Sequence, residues 1–197
     1  LDGGVEHFTQ YAEDEMKLIG QLQQQDGGFY RINQTSTRDV DGNKLTANYN
    51  EGIAYNYKSI SGYTSDPDRN QLLSMKQMGY AIGGDVMNVV NTSVLGADSI
   101  LGVKYVLSSY DIPGLKKLEN IEPGNGKSVY YNPYALPVAF TYESSNMLPD
   151  SEEKDEFLYQ NQLFSYLSGQ NVQVNKRIEA EPKADSNTVG YDVKHMD

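Results

Sequence analysis

The sequence has no cysteine and no tryptophan among its 197 residues. The first absence excludes disulfide staples, thiol nucleophiles and thiolate metal sites. Histidine occurs twice, as His7 and His195 near opposite ends. A metal centre on paired imidazoles would need the termini to meet, so no metal site is expected. Bases are scarce: 16 Lys and Arg stand against 27 Asp and Glu, for a formal net charge of −11. No nucleic-acid partner is expected, because binding one takes cations that replace phosphate counterions. Simple adhesion to anionic lipid is disfavoured for the same reason. Long apolar runs are missing as well. Stretches such as Ile100 to Val103 fall far below the roughly 18 residues of a membrane span.

What remains is a globular composition, 38 % hydrophobic and 22 % charged. A chain of this length can bury a core without staples and suits one domain. Residues 4–25 read as an amphipathic helix, with Val5, Phe8, Ala12, Ile19 and Leu22 near helical spacing. Asp26-Gly27-Gly28 stops it, and Phe29 to Ile32 reads as a strand. Gly52 to Tyr63 reads as a strand and a turn. A second helix is expected from a cap at Ser65 or Asp66 to Gly79, and a third from Ser93 to Leu101. The strand Val103 to Leu107 follows. Asn125-Gly126, flanked by Leu118/Ile121 and Val129/Tyr130, signals a hairpin. Ala135 to Tyr142 reads as an edge strand, with Pro137 near its start. A last helix begins around Pro149 to Glu153, with capping-box spacing between Asp150 and Glu153, and ends at Gly169. This alternation predicts an α/β fold (mixed α+β), a mixed sheet flanked by helices in a single compact domain. Residues 1–178 form that domain; 179–197 read as a polar tail or the start of the next segment.

Several motifs imitate known chemistry. Gly124-Asn125-Gly126-Lys127-Ser128 resembles the end of a phosphate loop. Ile121 occupies the first glycine position, and Pro133 and Pro137 deny the following helix. Asp39-Val40-Asp41-Gly42-Asn43 resembles a calcium loop, but its glycine stands at position four and Asn50 at position twelve. Glu152, Glu153, Asp155 and Glu156 could pair as catalytic carboxylates; their place at a helix start explains them equally. No Gly-x-Ser-x-Gly elbow is present. Tyrosine is abundant, with 16 of them beside 5 phenylalanines. They gather around Tyr49, Tyr55, Tyr57 and Tyr63, and around Tyr130, Tyr131, Tyr134 and Tyr142. Tyrosine is an ordinary strand residue, and it also offers a flat apolar face with a hydroxyl, suited to sugar. Both uses stay open.

Five segments in order carry a resemblance. Phe29-Tyr30-Arg31-Ile32 follows a helix and an acidic turn. Asn56 to Tyr63 precedes a short helix. Leu101 to Leu107, Asn132 to Phe140, and Asn161-Gln162-Leu163-Phe164 before Leu167-Ser168-Gly169 complete the set. Over about residues 10–178 they resemble the extracytoplasmic region of the YfhO family of bacterial multi-spanning membrane proteins. Proteins of that family are placed with glycosyltransferases that use lipid-phosphate-linked sugars outside the membrane. Some are linked to glycosylation of teichoic acids in the Gram-positive envelope.

The resemblance implies a noncatalytic extracellular domain of a polytopic membrane glycosyltransferase-like protein, on the outer face of the cell membrane. In that class the catalytic acid lies in an early loop between membrane helices. No segment here matches that loop, so no catalytic residue is carried over. The first residue, Leu1 rather than Met, fits a piece of a longer chain. Implied partners are its own transmembrane region and a lipid-linked sugar donor or envelope glycopolymer; no cofactor is expected. Candidate glycan or acceptor contacts are Tyr55, Tyr57, Tyr63, Tyr130, Tyr131, Asn132 and Tyr134. Two alternatives remain at this stage, a stand-alone envelope glycan-binding module and a small soluble enzyme of unknown class.

Overall fold

The structure, a computed structural model, describes residues 2–36, 50–62, 66, 68–80, 93–143, 149, 155–176, 180–185 and 188–193. Helix α1 (Asp2–Gln25) opens the chain. Its second half supplies Leu18, Ile19 and Leu22, all buried, whereas Val5 to Gln10 are exposed. The stop at Asp26 is built by the residue itself: its Oδ1 accepts from the Gly28 amide at 2.9 Å. Strand β1 (Arg31–Gln34) follows. It begins two residues later than the sequence suggests, because Phe29 is 68 % exposed and joins no ladder.

Helices α2 (Glu51–Ala54), α3 (Arg69–Gln77) and α4 (Leu95–Ile100) lie in the crossover to β2 (Val103–Ser108). Strands β3 (Lys116–Lys117) and β4 (Ser128–Tyr131), helix α5 (Glu156–Ser168), and strands β5 (Ala180–Asp185) and β6 (Thr188–Val193) complete the order. The main sheet runs β1-β2-β4-β3, with β1 parallel to β2 and the other pairs antiparallel. The parallel pair needs a long crossover, which the three helices provide. The mixed α/β class expected from the sequence is what forms.

Strand β2 is central and buried along most of its length, as strands covered on both faces are. Tyr105 and Leu107 join a core with Leu18, Ile19 and Leu22 of α1; Val106 joins another with Met75, Ala97, Met78 and Tyr80. From Tyr105 to Leu107, period-two alternation thus divides one strand between two cores. Tyr159 and Leu163 bring α5 onto the second.

The hairpin at Asn125-Gly126 forms as expected. Gly124 and Lys127 exchange both backbone hydrogen bonds, at 3.0 and 2.8 Å. Asn125 and Gly126 sit at φ 52° and 70°, the left-handed pair that a two-residue hairpin turn requires.

Other segments depart from the sequence reading. Of the stretch Gly52 to Tyr63, the described residues 52–62 form no strand. Asn50 adopts φ 71° and starts α2, leaving Ile53 82 % exposed. Only Ser59 bridges to β1, at Ile32. Ala135 to Tyr142 forms no strand either. Proline at 133 and 137 removes donors, and Tyr134 and Leu136 send their amides to Asn132 Oδ1 and the Ser99 carbonyl. Helix α3 is capped by Asp68, two residues past Asp66; Ser65 lies outside the described residues. Helix α5 is capped by Asp155; Asp150 and Glu153 lie outside them too. Beyond Ile178, β5 and β6 pair antiparallel.

Candidate functional site

A cleft of about 900 Å³ opens between α4 and α5. Gly96 stands against α5: a Cβ there would sit 2.6 Å from Gln160 Oε1 and 3.2 Å from the Phe164 ring, so any larger residue would have to displace those side chains. Gln160 is only 1 % exposed. Its Nε2 donates to the Met78 carbonyl at 3.2 Å, and its Oε1 accepts from Asn175 Nδ2 at 3.3 Å. The far wall is the return segment after α5. Asn161 pins it: Oδ1 accepts from the amides of Val174 and Asn175 at 2.9 and 2.8 Å, and Nδ2 donates to the Asn175 carbonyl at 2.8 Å. Ser165 repeats the device one turn on, binding both backbone groups of Val172.

Behind the near wall lies Asp98, 1 % exposed. Tyr80 and Ser93 hydroxyls each donate to it at 2.6 Å, and Asn33 Nδ2 donates at 3.2 Å. No cation faces it among the described residues. Burial outweighs these hydrogen bonds and pushes its carboxyl up to about 6. Ser93 itself lines the cleft, so the buried acid orients a cleft hydroxyl.

A second polar centre lies under α1. Lys127, 1 % exposed, extends from the hairpin turn into the body. Its Nζ lies 2.8 Å from Glu15 Oε2 and donates to Glu15 Oε1 at 2.9 Å, to Gln34 Oε1 at 2.5 Å and to Tyr11 Oη at 3.3 Å. Gln34 Nε2 donates to Glu51 at 2.9 Å and to the Tyr57 hydroxyl at 2.7 Å; Tyr11 donates to Glu51 at 3.0 Å. One ammonium thus pairs directly with Glu15, and reaches Glu51 only through Gln34 and Tyr11. Burial raises the Glu51 carboxyl; Lys127 opposes that rise, and Glu15 adds to it. Burial, then Glu15 and Glu51, drive the Tyr11 hydroxyl far above its ordinary range. Lys127 and Glu15 are closed to solvent, and the imitation of a phosphate loop ends here: the lysine is consumed inside the protein.

The tyrosines singled out from the sequence are dispersed. Tyr134, 62 % exposed, lines the cleft. Asn132 is buried behind it, donating to Ser99 Oγ at 3.1 Å and the Val103 carbonyl at 3.0 Å. Tyr130 is in the sheet and donates to Asp111 at 2.6 Å. Tyr131 packs on Tyr105, ring centroids 5.8 Å apart. Tyr57 belongs to the buried centre, and Tyr55 lies 6.5 Å from the Tyr11 ring. Tyr63 and the calcium-like Asp39 to Asn43 lie outside the described residues. The structure therefore brings Tyr134 alone of the described candidates to the cleft and places the others elsewhere. Sequence reasoning missed Gln160, Asn161 and Asn175, which carry no local signal. Gly96 did carry one, as a glycine inside a helix marks a close approach.

Among the described residues, no group of three or more His, Cys, Asp or Glu is placed to hold a metal ion. None of their helices is long and apolar enough to cross a membrane. A family model described as bacterial membrane protein YfhO matches residues 5–195. No curated protein and no solved structure matches the chain.

Proposed function

The chain belongs to the family of bacterial membrane protein YfhO, and from that premise we propose that it is a noncatalytic, extracellular, water-facing domain that positions donor or acceptor while a membrane-embedded glycosyltransferase glycosylates an envelope polymer such as teichoic acid. The observation that carries this reading is the α4–α5 cleft, a preformed concavity in a member of a membrane-protein family. Concave, largely apolar sites with a few convergent polar groups are where small ligands bind. A positioning role, rather than a catalytic one, is favoured by the cleft's acid content. Glu156 is the only carboxylate residue in its described lining, whereas carboxylate-driven chemistry at a glycosidic bond uses a facing pair.

The test is direct. The 197-residue chain, incubated with lipid-phosphate-linked sugar donors and an envelope glycopolymer, should transfer no sugar. Deleting it from the larger membrane protein should lower glycosylation of the polymer in cells. Sugar transfer by the isolated chain would overturn the noncatalytic assignment; unchanged glycosylation after deletion would overturn the positioning role.

A further inference from the structure

We propose that the α4–α5 cleft binds an uncharged glycosyl unit and excludes the phosphate groups of donor or acceptor, an inference that rests on the glycosylation reading above. The wall chemistry supports it. Tyr134 and Phe157 stand at the cleft 62 % and 60 % exposed, and Phe164 lies against Gly96. Aromatic faces of this kind suit the apolar C–H face of a pyranose. Asn175, held by Gln160, supplies a side-chain carbonyl for hydroxyl groups, and the Glu156 carboxylate makes no hydrogen bond among the described residues and can accept from a sugar hydroxyl.

Charge decides between ligand classes. No Lys, Arg or His is in the described lining, and Glu156 is acidic. Against the described lining a phosphate would lose water without gaining a cation, and would face a carboxylate. The chain's net charge of −11 opposes its approach from a distance. An uncharged sugar meets neither obstacle. The volume of about 900 Å³ leaves room for a short oligosaccharide. The wall is also preorganised, since Asn161 and Ser165 hold residues 172–175 against α5 before any ligand arrives. Preorganisation reduces the ordering cost of binding.

The experiment is calorimetric titration of the 197-residue chain with two sets of probes. The neutral set comprises short oligosaccharides of glucose, galactose and N-acetylhexosamines. The charged set comprises bare poly(glycerol phosphate) and inorganic phosphate. A neutral probe is expected to bind, with affinity unchanged between about 0.1 and 0.5 M salt. Tyr134→Ala should weaken it about tenfold, and Phe157→Ala similarly; both side chains are largely exposed, so circular dichroism should not change. Salt-sensitive binding of the phosphate probes without binding of the neutral set would overturn the proposal and leave the glycosylation reading standing. Binding of no probe, or neutral binding that both variants leave unchanged, would overturn it too. The glycosylation reading fails separately, when deletion of the chain leaves polymer glycosylation intact.

Discussion

Replacing Lys127 with methionine keeps an unbranched apolar stem and removes the ammonium from the buried centre under α1. The lysine and Glu15 side chains are 1 % and 0 % exposed, with Nζ 2.8 Å from Glu15 Oε2. Lys127→Met leaves the Glu15 carboxylate and Gln34 Oε1 without their shared donor, and Glu51 close by. An uncompensated buried charge of this kind costs about 3–5 kcal/mol. That is a large share of the roughly 5–15 kcal/mol that holds a domain folded. The double variant Lys127→Met with Glu15→Leu removes the orphaned charge together with its partner, and should recover most of the loss, because an apolar replacement of a whole buried pair is often neutral. Urea unfolding followed by far-ultraviolet circular dichroism and tyrosine fluorescence measures both; with no tryptophan, the tyrosine signal is unobscured. For a urea slope of about 1–3 kcal/mol/M, the single variant's midpoint should fall by on the order of 2 M. A single variant within about 1 kcal/mol of the parent, or a double variant no better than the single, would refute the reasoning.

Asp98→Asn should change the pH dependence of stability. Burial lifts the folded-state carboxyl from 3.8 to about 6. Its contribution is therefore fully present below about 4 and lost as pH rises through about 6, which amounts to about 3 kcal/mol. The variant lacks that loss, so between pH 4 and pH 7 its urea midpoint should shift in its favour relative to the parent; a pH-independent difference would contradict the assignment. Asp155→Ala removes the cap of α5, whose carboxylate accepts from the amides of Phe157 and Leu158 at 3.1 and 3.0 Å. It should cost about 1 kcal/mol in the same assay, and an unchanged midpoint would mean that the cap contributes nothing.

Some of this architecture was legible locally. Helix α1 ends where Asp26-Gly27-Gly28 says it should, and β2 starts at Val103 just after a glycine in the left-handed region, Gly102 at φ 69°. The Asn125-Gly126 turn forms because its two residues accept positive φ. Residues 52–62 and Ala135 to Tyr142 misled because apolar spacing over a dozen residues does not reveal where backbone donors are missing or already engaged. The tyrosine clusters misled differently: neighbours in sequence, Tyr130, Tyr131 and Tyr134, end in the sheet, against Tyr105 and at the cleft.

The amino-acid order by itself determined helix α1, strand β2, the turn and the family, since hydrophobic period, glycine placement and motif order are properties of short stretches. Tertiary structure alone decided which distant residues meet. Lys127 finds Glu15 across 112 positions, and Gln160 reaches the Met78 carbonyl across 82. Those pairings follow from sheet order and helix packing, and no local pattern encodes them. The cleft and the buried charge both arise there, because burial converts an ordinary glutamine, glycine or lysine into a wall, a gap or an ion pair.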